Sequence, residues 1–147
     1  MKKFMVIVAA LAAIAILGFA ASTQAGPPCC IAGKYKTTFK DKPAPPCESP
    51  GIHHCTFIFY QNHCQPQVRA KLLDENQQLI LYVSGTLTPA GNGCKFEGTG
   101  QCPPGTFCEG ETVKIRAKFY KVNGIWNIGG RYYNPQGCSG TFHGTHM

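Results

Sequence analysis

Nine cysteines and five histidines carry most of the chemistry this chain could perform. Imidazole and thiolate ligate zinc and copper, and a cysteine beside a histidine is the minimal nucleophile pair. His53-His54-Cys55 and His63-Cys64 are the two places where such groups crowd together. Neither has the spacing of a known metal centre. No Cys-x-x-Cys occurs, which removes the common zinc motifs and covalent haem attachment. A strand of about nine residues separates the two clusters and holds them ~25 Å apart, too far to share one ion. His143 and His146 lie in the final residues, where chains commonly fray, and add no ligand set. The expectation is no metal and no cofactor.

Catalysis fares no better. The seven carboxylates show no paired arrangement for acid–base hydrolysis. Gly-x-Ser-x-Gly, His-Glu-x-x-His and phosphate-cradling loops are absent. A nucleophile, a base and an anion stabiliser cannot be assembled from these residues, so the expectation is a protein that is not an enzyme, with no catalytic residue to name.

The cysteines are better explained by compartment. Met1-Lys2-Lys3 precedes an uncharged run from Phe4 to Ala21, and Ser22-Thr23-Gln24-Ala25-Gly26 follows. A positive start, an apolar run and small residues at Thr23 and Ala25 form a signal peptide with cleavage before Gly26. The rival is an uncleaved anchor, but the run is rich in alanine and weakly hydrophobic for a permanent span. A lipoprotein is disfavoured because Gly26-Pro27-Pro28 precedes Cys29 where a lipid-attachment box needs leucine and small residues. The expected organisation is residues 1–25 as signal peptide and 26–147 as a single domain, located in the periplasm or outside the cell, with no stable membrane span after cleavage.

All nine cysteines (Cys29, Cys30, Cys47, Cys55, Cys64, Cys94, Cys102, Cys108 and Cys138) fall in that mature part. In an oxidising compartment they read as disulfides, which constrain the unfolded state of a domain too small for a large core. The odd count leaves one thiol free or bridged to another chain. Adjacent Cys29 and Cys30 each need a distant partner. Cys102 and Cys108 bracket the turn-rich Pro103-Pro104-Gly105-Thr106-Phe107 and form the most natural local bridge.

The elements that must position these residues are strands. Apolar and polar residues alternate with period two over Gly33–Lys40, Cys55–Gln61, Gln67–Leu73, Leu79–Leu87, Cys94–Thr99, Glu111–Val122, Trp126–Tyr132 and Cys138–His143. Ala90-Gly91-Asn92-Gly93 and Asn123-Gly124 are hairpin turns. The proline-rich stretch from Asp41 to Gly51 cannot be a central strand and reads as a loop. No helix is expected after the signal peptide. About eight sequential antiparallel strands predict a small all-β, disulfide-stapled up-and-down barrel, with a two-sheet sandwich as the alternative. Glycines inside strands favour the barrel, because closure needs sharp coiling. In strand number and spacing the chain resembles small secreted barrels such as lipocalins and avidins. It carries none of their diagnostic residues, so the resemblance implies architecture alone.

Composition sets the partner expectations. Without Lys2 and Lys3 the 14 Lys and Arg become 12 against 7 Asp and Glu, a mild basic surplus. It suits plain solubility and also acidic lipid headgroups or polysaccharides. Lys114, Arg116 and Lys118, with Lys34, Lys36 and Lys40, form basic strand faces. Export argues against a nucleic-acid partner. Phe39, Phe57, Phe59, Phe96, Phe119, Trp126 and Tyr132 are the large inward residues, which either fill the barrel or line a pocket. The leading expectation is a non-enzymatic binding module that holds a small apolar ligand in the barrel or engages an envelope protein or glycan. Trp126, Phe119, Tyr132, Phe57 and Phe59 are its tentative ligand-binding residues. The alternative is a structural or assembly component of the envelope or extracellular matrix, tethered by the odd cysteine. The third is a Cys/His metal or redox handling protein.

Overall fold

Eight antiparallel strands follow one another around a closed barrel: β1 (Gly33–Asp41), β2 (Ile52–Gln61), β3 (Gln67–Leu73), β4 (Leu79–Ala90), β5 (Gly93–Gln101), β6 (Thr112–Val122), β7 (Ile125–Tyr133) and β8 (Ser139–His146). This computed structural model describes residues 29–42, 51–106, 108–135 and 137–147. The expected signal peptide and cleavage site, and Cys47, lie outside them. Each strand pairs with its neighbour in sequence, and β8 returns to pair with β1 from Tyr35↔His146 to Asp41↔Gly140. The seam closes the sheet on itself, so the barrel holds and the two-sheet sandwich does not. Closure also satisfies the backbone donors and acceptors that an open sheet would leave at its edges.

Strand boundaries run longer than alternation alone suggests. Ile52, His53 and His54 are paired residues of β2, lying opposite Lys40, Phe39 and Thr38. His143 and His146 are likewise held in β8 between two neighbours, rather than in a frayed tail. Polar residues at these ends mask the periodicity, while their backbones still complete the ladder. At Asn123-Gly124 both residues have positive φ, 51° and 79°, as the tight β6–β7 hairpin requires.

The inward face of every strand is apolar, and two aromatic groups fill the lower and middle barrel. Tyr35, Phe59, Phe96 and Phe119 pack edge to face, with ring centroids 5.2 Å apart for Phe59–Phe119 and 5.5 Å for Tyr35–Phe59. Phe39 stacks on Phe142 at 4.9 Å, and Phe57 links the two groups through Phe59 at 5.0 Å. Gly85 and Gly98 face each other across β4 and β5 because Phe96 occupies the space their side chains would take.

One end of the barrel is sealed by residues 29–32. Ile31 is completely buried and Cys29 nearly so. Disulfides Cys29–Cys94 and Cys30–Cys64 fasten this segment to β5 and to the β2–β3 connection. Gln61 completes the seal: its side-chain oxygen accepts from the Ile31 amide at 2.9 Å and its amide donates to the Cys29 and Gln65 carbonyls. The buried Tyr35 hydroxyl donates to the Ile31 carbonyl at 2.8 Å. Cys102–Cys108 closes the short loop after β5, as its spacing suggests. Cys138 is disulfide-bonded as well, and Cys55 is the free cysteine among the described residues. These bridges belong to an oxidising environment.

Candidate binding cavity at the open end

The opposite end, where β1 meets β2, β3 meets β4, β5 meets β6 and β7 meets β8, is not filled by the described residues. A cavity of about 710 Å³ opens there. That lies within the ~300–1,000 Å³ range of small-molecule sites. Its apolar walls come from inward positions on different strands: Phe39 of β1, Leu72 of β3, Leu81 of β4, Ile115 of β6 and Tyr132 of β7. Phe39 also ties this wall to the packed interior, stacking on Phe142, whose ring lies against Phe57. The Asp41 and Gly51 ends of the proline-rich loop meet at this mouth, where the Asp41 amide donates to the Gly51 carbonyl at 3.1 Å. The loop pinned by Cys102–Cys108 borders the same mouth.

Polar groups ring the rim. Asp41 and His53 pair at 2.8 Å across β1 and β2. Asp74 caps the β3–β4 turn, accepting from the Asn76 and Gln78 amides at 2.8 Å each. Glu111 accepts from the Asn134 side-chain amide at 3.2 Å, and Asn134 in turn accepts from the Cys138 amide. Glu75 makes no hydrogen bond among the described residues. Apart from Glu97 on the outer wall, every described acidic residue (Asp41, Asp74, Glu75, Glu109 and Glu111) sits at this end.

Cys55 lines the cavity from β2 and is only 7% exposed. Asp41, His53 and Cys55 follow one another along this end, which is the residue order of a nucleophilic cysteine site. The chemistry opposes that use. Cys55 Sγ makes no hydrogen bond to His53. Its thiol is pushed up to about 11, first by burial and then by the negative charges of Asp74, Asp41 and Glu75. A nucleophilic cysteine needs a lowered value that yields thiolate near neutral pH. Here the sulfur is a neutral, weakly polar wall atom. Its burial inside the barrel also turns it away from any second chain.

The structure separates the aromatic residues singled out from sequence. Tyr132 lines the cavity. Phe57, Phe59 and Phe119 are buried in the packed interior and fill it. Trp126 lies at the sealed end, opposite Lys121 in the β6–β7 hairpin, whose Nζ stands 4.9 Å from the ring centre. The histidine clusters fall at opposite ends of β2, and among the described residues no three His, Cys, Asp or Glu side chains gather as a metal site would need. Lys114, Arg116, Lys118, Lys34, Lys36 and Lys40 are exposed on the outer wall. Sequence reasoning missed the acidic rim. Its signal was present, since alternate connections of an up-and-down barrel share one mouth and the carboxylates fall in those connections. Comparison with protein-family models, with curated proteins and with solved structures finds no match.

Proposed function

We propose that this chain is an exported, non-enzymatic binding module that holds a small, largely apolar ligand in the open end of its barrel. The observation that carries this reading is the asymmetry of the interior: one end is sealed by residues 29–32, and the other keeps a cavity of about 710 Å³ with apolar walls. Such a shape removes apolar surface from water on binding, and the bridged loops at the mouth lower the ordering cost. The leader-like residues 1–25 and the disulfides support export to the periplasm or beyond. The neutral thiol of Cys55 supports binding over catalysis.

The test is titration of the native, oxidised protein with N-phenyl-1-naphthylamine, an uncharged probe whose emission rises in apolar surroundings. Saturable binding is expected, weakened in Cys55→Phe, which puts a bulky ring into the cavity wall. Failure of the wild type to bind overturns the reading. Trp126 emission is the wrong reporter, because that ring sits at the sealed end.

A second reading, engagement of an acidic envelope surface, rests on the outer wall. Lys95 lies directly opposite Lys118, and Arg116 opposite Arg131. Like charges facing each other across strands cost stability, a cost that a bound polyanion would relieve. Retention on an anionic glycan resin that weakens in Lys118→Glu is expected. Unchanged retention removes this reading.

A further inference from the structure

The cavity's charge is opposite to the chain's. The full chain is mildly basic, with a formal net charge of +7, yet among the described residues no lysine or arginine lines the cavity, while Asp41, Asp74, Glu75 and Glu111 do. The two histidines that border it are engaged, His53 with Asp41 and His54 with the Thr38 hydroxyl. Asp74 and Glu111 are also held, by the turn and by Asn134, with their charges uncancelled. Glu75 is left with no partner among the described residues. Deeper in, Cys55 is more than nine-tenths buried and faces the cavity; its carbonyl accepts from the Thr37 hydroxyl, while its thiol makes no hydrogen bond among the described residues. The site therefore has apolar walls, an unpartnered polar atom within, and a negatively charged rim.

These features discriminate among ligands. A fatty acid or other anionic amphiphile would bring its charge against the carboxylates. A neutral hydrocarbon would fill the walls but partly bury the rim charges without compensation. A molecule with one cationic group on an apolar body meets both requirements. We infer that the ligand class of this cavity is the cationic amphiphile, an alkyl or aryl amine whose body lies against Phe39, Leu72, Leu81 and Tyr132 and whose ammonium sits among Asp74, Glu75 and Glu111. The inference rests on the binding reading above and narrows it.

Calorimetric titration of the oxidised mature protein with decylamine, decanol and decanoate separates the two. The amine should bind at least about fivefold more tightly than the alcohol, the gain of a partly exposed ion pair, and decanoate should bind weakest. Replacing both Glu75→Gln and Glu111→Gln should bring the ratio of amine to alcohol affinity toward one, as should about 0.5 M salt. Cys55→Phe should weaken amine binding. To keep the test independent of that variant's folding, the rate of Cys55 alkylation in the wild type is read in parallel and should fall on adding decylamine. Alcohol binding as tight as amine, or an amine preference that survives both glutamate changes, overturns the charge inference and leaves the apolar cavity standing. Absence of binding by all three, together with a silent naphthylamine titration, overturns both.

Discussion

At the scale of single residues, Cys55 does more to define the site than any aromatic side chain. Its thiol pKa, raised from the usual value to about 11, has a consequence for stability. In the unfolded chain the thiol ionises at its ordinary, lower value; in the folded chain it stays protonated until about pH 11. The preference for the protonated form is thus fully present below the unfolded value and is lost as pH rises through the folded one. Its size is on the order of 3 kcal/mol at most. The buried Tyr35 phenol is also raised by burial and adds a loss of the same sign at still higher pH. Urea unfolding between pH 8 and about 11 should show wild-type stability falling, and Cys55→Ala should flatten that decline while lowering stability overall. A parallel decline in both proteins would show that Cys55 is not its cause. Alkylation of the unreduced, unfolded protein should label this cysteine alone. The inward placement of Phe39 and Phe119 was legible in the sequence because alternation fixes which face a residue takes. Alternation is silent on height along the barrel axis. Trp126 and Tyr132 share a strand and a face, yet they lie at opposite ends.

At the scale of elements, close approach across β4 and β5 makes Gly98 a sensitive position. A Cβ there would lie 2.6 Å from the Phe96 ring and 3.0 Å from the Ser84 carbonyl. Gly98→Ala should cost roughly 1–3 kcal/mol through overpacking. Gly129 on the outer face of β7 has no neighbour nearer than 3.9 Å, so Gly129→Ala should be neutral or slightly stabilising. Thermal melts of the two variants test the contrast, and equal losses would contradict the packing described. Disulfides differ in the same graded way. Cys29–Cys94 spans 65 residues of sequence and Cys102–Cys108 spans 6. On the loop-entropy scale their paired removal as serines should cost about 4 and about 2 kcal/mol, read by denaturant unfolding without reductant. The strands themselves were legible, since one face of each is buried. The seal at residues 29–32 was not, because an irregular segment held by two bridges and Gln61 has no periodicity to read. Phe142 was missed as a core residue because Gly140 and Gly144 flank it and dilute the apolar pattern of β8.

At the scale of the whole molecule, charge is largely sorted by location among the described residues: most basic side chains lie on the wall and most acidic ones at one mouth, with Lys42 beside that mouth and Glu97 on the wall as exceptions. Composition reports only the sum, and a mild surplus of lysine hides a negatively charged entrance. That sorting follows from topology, because loops distant in sequence converge only once the meander closes. The same scale holds the export prediction. N-terminal sequencing of protein recovered from an exporting bacterium should begin at Gly26, and recovery with Met1 in place would refute cleavage.

The seam between β8 and β1 also sets an order of assembly. Seven of the eight strand pairings are hairpins between neighbours and can form as the chain emerges. The eighth joins residues about a hundred positions apart, from Asp41↔Gly140 to Tyr35↔His146, and beside it the His146 ring meets the Ala32 carbonyl across 114 residues. Such a pairing bears the full loop-closure entropy and comes late. Until it forms, the chain is a curled open sheet with β1 and one later strand exposed as edges, competent to pair with other chains. Cys29–Cys94 and Cys30–Cys64 involve no residue beyond β5, so oxidation can secure the sealed end before the last strand arrives. In an oxidising compartment the interval of exposure is then spent on a molecule already half locked. In a reducing one the same interval falls on an unlocked sheet, and the expected product is aggregate.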